Sequence, residues 1–164
     1  AEAACATYQR KYGFPVKIAR LFRGYGPRRP LYKGHMIPDF FIQAMEKKDL
    51  VIYGDHDFRT SLCYISDVVD ALMKMITAEE GLLTLNVGTG EDVALTQVAQ
   101  EVLALTTSSS QVVFEQPLLF MTPLGLPDIT RIKERLGWFP LVSLQDGLKK
   151  TYDYILANKG LLGI

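Results

Sequence analysis

The sequence predicts an α/β domain of short strands and several helices. Three features point there. Apolar residues recur at helical spacing, most cleanly at Leu95, Val98, Ala99, Val102 and Leu103. Short extended runs, at residues 16–22, 50–53 and 83–87, lie between such stretches, and each is followed by glycine. The 164 residues, 48% hydrophobic and 22% charged, suit one folded domain.

The elements follow in order. Ala1, Ala4, Cys5, Tyr8 and Tyr12 mark a helix already under way at the first residue, and Gly13 and Pro15 end it. Residues 16–22 alternate apolar with basic side chains and read as a strand. Gly24-Tyr25-Gly26-Pro27 is turn chemistry, and a loop continues to Gly34. Ile37, Phe40, Phe41, Ala44 and Met45 share one helical face, with Pro38 tolerated in the first turn. Leu50–Tyr53 is a short strand, and residues 62–65 form another extended run. Ser66 or Asp67 is placed to cap the next helix, whose stripe is Val68, Leu72, Met75 and Ile76. Residues 83–87 form a strand leading into Gly88-Thr89-Gly90, and the helix through Leu95 to Leu103 follows. Residues 112–114 read as extended and 117–127 as irregular. Asp128 caps a short helix with Ile129, Ile132 and Leu136 inward, closed by Gly137. Ser143, with Asp146 three residues on, opens a last helix through Leu148, Tyr152 and Ile155. Strands this short, with loops this varied, do not make a complete doubly wound sheet.

Eighteen basic residues balance eighteen acidic ones, which excludes a globally basic nucleic-acid binder and an acidic tail. Residues 1–35 nevertheless carry eight basic side chains against Glu2 alone, a net of +7, so the rest of the chain is at −7. A positive front invites an anionic ligand. No apolar run approaches the roughly 18 residues of a membrane span, and no signal-peptide pattern is visible. The two cysteines, Cys5 and Cys63, do not make a disulfide framework, which points to a reducing cytoplasm.

Most catalytic motifs are absent. In Gly88-Thr89-Gly90 the third glycine of a dinucleotide fingerprint would fall at Val93, so the stretch reads as a plain turn. His35 and His56 have no partner at metal-ligand spacing. No G-x-S-x-G elbow exists, and Cys63 sits in a strand as core. What remains is the basic, aromatic front around Arg20, Phe22, Arg23, Tyr25, Arg28 and Arg29, where a strand ends in a glycine turn. Strand ends are where open α/β folds hold ligands, and guanidinium groups suit phosphate. Tyr53, at another strand end, offers an aromatic face for a base.

The stretch Ala19-Arg20-Leu21-Phe22-Arg23-Gly24-Tyr25-Gly26-Pro27-Arg28 resembles the R-x-F-N-x-Y-G-P-R motif of the extended short-chain dehydrogenase/reductases, the NAD-dependent nucleotide-sugar epimerases, dehydratases and UDP-glucuronate decarboxylases. Further segments resemble that family in the same order: Met36-Ile37-Pro38-Asp39-Phe40-Phe41, Leu50-Val51-Ile52-Tyr53-Gly54-Asp55, Tyr64-Ile65-Ser66-Asp67-Val68-Val69, Leu85-Asn86-Val87-Gly88, Pro127-Asp128-Ile129 and Leu136-Gly137-Trp138-Phe139-Pro140. The decarboxylase type is the nearest in pattern, and the resemblance spans nearly the whole chain. It implies that residues 1–164 are the substrate-binding, C-terminal part of such an enzyme. Residues 1–12 then continue the helix that carries the family's catalytic Tyr-x-x-x-Lys, and the NAD loop and that pair lie outside this chain.

The resemblance also implies a nucleotide-sugar ligand, with Arg23 beside the sugar, Tyr53 against the base, Arg59 near the diphosphate and Arg28 in the same anion site. No catalytic or cofactor-binding residue is expected in the chain itself. NAD would serve the complete enzyme without binding this chain tightly, and a homodimer through the first helix is expected. Three positions depart from the family pattern. Its substrate-contacting Asn is Arg23 here, and its two phosphate-binding arginines align with Thr60 and Gly125. The rival reading is a non-catalytic binding or assembly module of the same descent. A nucleic-acid module is disfavoured, because the chain carries no known signature of one.

Overall fold

A computed structural model describes residues 1–31, 34–54, 56–79, 81–117 and 125–162. The expectation of an irregular segment at residues 117–127 thus lies largely outside the described residues. The opening helix α1 (Glu2–Tyr12) ends as its sequence requires: Gly13 takes the left-handed conformation at φ 71° and its N–H donates to the Gln9 carbonyl. None of its residues is buried. The strand β1 (Val16–Leu21) follows, and then the two-residue β2 (Gly24–Tyr25).

Helix α2 (Met36–Met45) buries Ile37, Phe40, Phe41 and Ala44, the face expected from spacing. β3 (Leu50–Tyr53), β4 (Arg59–Thr60) and β5 (Cys63–Tyr64) lead into α3 (Ile65–Thr77). Here two expectations fail. Residue 65 is already helical, so the extended run is shorter than 62–65, and neither Ser66 nor Asp67 caps α3 by its side chain. Asp67 instead points inward, where its Oδ2 accepts the Val142 N–H at 3.0 Å, while its carbonyl accepts Trp138 Nε1 at 3.1 Å. A partly buried backbone donor on a distant segment outcompetes the helix's own first turn for the carboxylate. The buried stripe of α3 is Asp67, Val68, Ala71 and Met75, and Ile76, expected inside, is 69% exposed.

The chain continues with β6 (Leu82–Val87), β7 (Val93–Ala94), α4 (Leu95–Thr106), β8 (Val112–Glu115), α5 (Thr130–Leu136), α6 (Leu144–Ala157) and α7 (Lys159–Leu162). α4 buries Leu95, Val98, Ala99 and Val102. Asp128 accepts the Thr130 N–H at 2.9 Å at the start of α5, and Gly137 closes it at φ 58°. The Ser143 hydroxyl accepts the Asp146 N–H at 3.1 Å and donates to the Asp146 carboxylate at 2.8 Å, the cap read from the sequence.

Strand pairing is between distant segments. β1 runs parallel to β6, β2 to β5 and β3 to β8, while β4 and β7 are antiparallel. Two apolar clusters hold these layers. One joins α2, β3, α4 and α6 around Phe41, Leu50, Val98 and Leu148. The other seats α3 and α5 on one face of the β1–β6 pair, with Leu83, Leu85, Val87, Met75, Ile132 and Trp138 inside. α1 covers part of the opposite, polar face, where Arg20 grips Glu2 through two hydrogen bonds of 2.7 and 2.6 Å. The same face bears an open polar cleft of about 310 Å³ lined by Glu2, Arg20, Thr84, Asn86, Asp128 and Arg131.

Candidate functional site

Parallel strands deliver their carboxyl ends to one edge, and open α/β folds hold ligands in the crevice beyond that edge. β1 and β6 end together, with Leu21 opposite Val87. Beyond β1 the backbone is pinned on both sides: the Phe22 N–H donates to the Val87 carbonyl at 2.9 Å, and the Arg23 carbonyl accepts the Cys63 N–H at 3.3 Å. Between these anchors Arg23 adopts φ 37°, the left-handed region that few non-glycine residues occupy. The turn that follows is fixed by packing. Gly26 sits at φ 143°, and a Cβ there would lie 2.6 Å from Ile65 Cγ2.

Arg23 is half-buried, and its guanidinium carbon lies 5.9 Å from the centre of the Phe58 ring, at the outer range of a cation–π contact. Its Nε is closed off from water and has no acceptor, and among the described residues the side chain makes no hydrogen bond or ion pair. Burial alone pulls its pKa below the ordinary guanidinium value, though the group stays charged. Ser61 and Thr89 lie beside the same strand ends. The Ser61 hydroxyl donates to the Thr89 carbonyl at 2.9 Å, tying the segment after β4 to the turn after β6.

The other site residues read from the sequence are placed as follows. Arg59 directly follows Phe58, whose ring lies against the Arg23 guanidinium. Arg59 is engaged, however: its Nε meets Asp92 Oδ2 at 2.5 Å and its Nη2 the Asp92 carbonyl at 2.9 Å. Thr60, at the family's arginine position, is buried with its hydroxyl donating to the Ser61 carbonyl. Gly125 is exposed, and nothing lies within 4 Å of where its Cβ would be. Tyr53 ends β3 opposite Glu115, with 38% of its surface exposed. Arg28, at φ 66°, borders a small groove with Thr151, Tyr154 and Ile155 of α6.

Sequence reasoning missed Phe58 and Asp92. Neither carries a motif: Phe58 acquires meaning through Arg23, and Asp92 through Arg59, which the pairing of β4 with β7 brings to it.

Residues 1–88 match the family model described as the NAD dependent epimerase/dehydratase family. The chain belongs to that family. UDP-glucuronic acid decarboxylase 1 of Xenopus tropicalis is 30% identical over 154 residues, which are 94% of this chain and 36% of that protein. The structure of an epimerase from Methanothermobacter thermautotrophicus matches with a TM-score of 0.94 at 27% identity, over 99% of this chain and 49% of that one. UDP-glucuronic acid 4-epimerase from Bacillus cereus, solved in complex with UDP-glucuronic acid and NAD, matches with a TM-score of 0.86 at 25% identity, over 95% of this chain and 50% of that one. The chain therefore spans half or less of the length of these relatives.

The epimerase/dehydratase family is named for NAD, and the glycine turn after β6 is where this chain could be asked to cradle its phosphates. A Cβ on Gly88 would lie 2.9 Å from Pro127 Cγ and 3.0 Å from Phe22 Cβ. The space that this glycine leaves is already filled by the chain's own side chains. Gly88 thus serves packing, and no step assigned to this chain passes through NAD.

Proposed function

We propose that this chain provides the nucleotide-sugar-binding surface of an NAD-dependent sugar epimerase, dehydratase or decarboxylase, at the carboxyl ends of β1 and β6. The observation that carries this reading is Arg23: a guanidinium held on a doubly anchored turn, half desolvated and without an acceptor among the described residues, at the edge where parallel strands end. Family membership supports the ligand class. The front of the chain, at a net charge of +7 over residues 1–35, favours the approach of a diphosphate. Tyr53 is available to the base, and Arg59 to the diphosphate once Asp92 releases it.

The chain binds but does not turn over. Proton abstraction needs a tyrosine activated by a lysine one helical turn away, and no Tyr-x-x-x-Lys occurs in this sequence. In the complete enzyme that pair and NAD belong to the remaining half of the length, so residues 1–164 are its substrate-side part and α1 continues the catalytic helix. Association through α1 belongs to the same reading, because Tyr8, Tyr12 and Phe14 stand exposed on and just after a helix with no buried residue. The free thiols of Cys5 and Cys63 suit a cytoplasmic setting.

Calorimetric titration with UDP-glucuronate and UDP-glucose tests the proposal. Binding at a stoichiometry near one, without product in an activity assay, is the expected outcome. Absence of binding would leave the non-catalytic assembly module, which the engagement of Arg59 by Asp92 favours as the second reading.

A further inference from the structure

We infer that Arg23 is the specificity-determining residue of this surface, reading an oxyanion of the ligand with its guanidinium fork. The inference rests on the nucleotide-sugar reading above and goes further by assigning one side chain to one kind of ligand group.

Three independent features of Arg23 argue for it. Its backbone is held in the left-handed region at φ 37° by bonds to β6 on one side and β5 on the other, so its side chain leaves the crevice edge in a fixed direction. Sites of this kind of backbone strain cluster where ligands are handled. The side chain has the flat face of Phe58 as its support, which orients a planar cation without supplying a counter-charge. Its donors lack acceptors among the described residues, and Nε is also shut off from water. A structural arginine in such a place is normally matched by a carboxylate, as Arg20 is by Glu2 and Arg59 by Asp92 in this same chain. Arg23 is half-buried and among the described residues has neither carboxylate nor carbonyl, and a ligand oxyanion supplies the acceptor. The planar guanidinium carries its N–H donors in the side-by-side arrangement that a carboxylate or phosphate accepts in two parallel hydrogen bonds.

Two groups of a nucleotide sugar share this chemistry, the diphosphate and a carboxylate on the sugar. Titration of the wild-type chain, Arg23→Asn and Arg23→Lys with UDP-glucuronate, UDP-glucose and UDP separates them. Asn tolerates the left-handed backbone, so the turn survives the first exchange, and unchanged thermal unfolding checks that it has. Loss of about tenfold or more in affinity for UDP-glucuronate alone assigns Arg23 to the sugar carboxylate, and a similar loss for all three ligands assigns it to the diphosphate. Lysine keeps the charge without the fork and should restore only part of the loss. Affinities of the folded Asn variant within about twofold of wild type for every ligand overturn the inference while leaving the nucleotide-sugar reading in place. A wild-type chain that binds none of the three overturns both. As a readout independent of substitution, the Arg23 Nε–H resonance of the wild-type chain should shift on saturation with the ligand that binds, and a stationary signal counts against the inference.

Discussion

Gly147 passes so close beneath Tyr25 that a methyl group on its Cα would lie 2.1 Å from the Tyr25 hydroxyl oxygen and 3.0 Å from the ring of Tyr64. The two rings stand edge to face with centroids 5.6 Å apart, and the Tyr25 hydroxyl donates to the Leu144 carbonyl at 3.3 Å. A glycine in α6 thus sets the position of the turn that carries Arg23, two residues before Tyr25.

Gly147→Ala should therefore destabilise the fold although it improves helix propensity. The propensity gain is about 1 kcal/mol, and displacing two packed aromatic rings costs about 3 kcal/mol. A net loss of roughly 2 kcal/mol is expected in urea unfolding. A variant as stable as wild type would show that Tyr25 can move aside freely.

Asp92→Asn should tighten binding of UDP-sugars. The carboxylate of Asp92 occupies Arg59, and both side chains are substantially exposed, so the pair itself contributes little to stability. Removing the negative charge releases Arg59 for a diphosphate. The expected sign is a lower Kd, by about threefold, with unfolding unchanged, and a higher Kd would place Arg59 outside the binding surface.

The two thiols should differ sharply toward a thiol reagent. Cys63 is fully buried, and burial pushes its pKa up to about 12, whereas Cys5 is partly exposed. One equivalent should react promptly in the native protein and the second only on unfolding. The same shift has a pH consequence. With its folded pKa raised, Cys63 does not oppose folding below the unfolded thiol value of about 8.5, and stability falls as pH rises from there toward 12. Native-state reaction of both thiols at equal rates would contradict the buried placement.

Tyr8, Tyr12 and Phe14 form an exposed aromatic ladder, with centroids 5.4 and 5.9 Å apart along it. If α1 is the contact between copies, sedimentation velocity should show a dimer that Tyr8→Glu converts to monomer at unchanged helicity. A wild-type chain that is monomeric across concentrations would remove α1 from that role.

Helix periods and end signals were plain in the amino-acid order. α4 buries its expected stripe, Gly13 and Gly137 close their helices in the left-handed conformation, and Ser143 caps α6. These depend on neighbours within a few positions, so the local chain suffices to specify them. The family, too, was readable in the order of short motifs. The candidate site was legible only in part. Arg23 was singled out by its place after a strand, but Phe58, whose ring lies against it, was not.

Side-chain assignments across the fold required the third dimension. Asp67 carries every local sign of a helix cap, yet it serves Val142, and Ile76 continues an apolar stripe yet faces outward. Which face of α3 is inside depends on how β1 and β6 pair beneath it. Whether Arg59 is free depends on Asp92, 33 residues away in sequence. Local preferences are set by bonds within a turn or two, but burial and the matching of donor to acceptor are set by whichever distant segment packs across, and only the assembled chain brings those groups within reach.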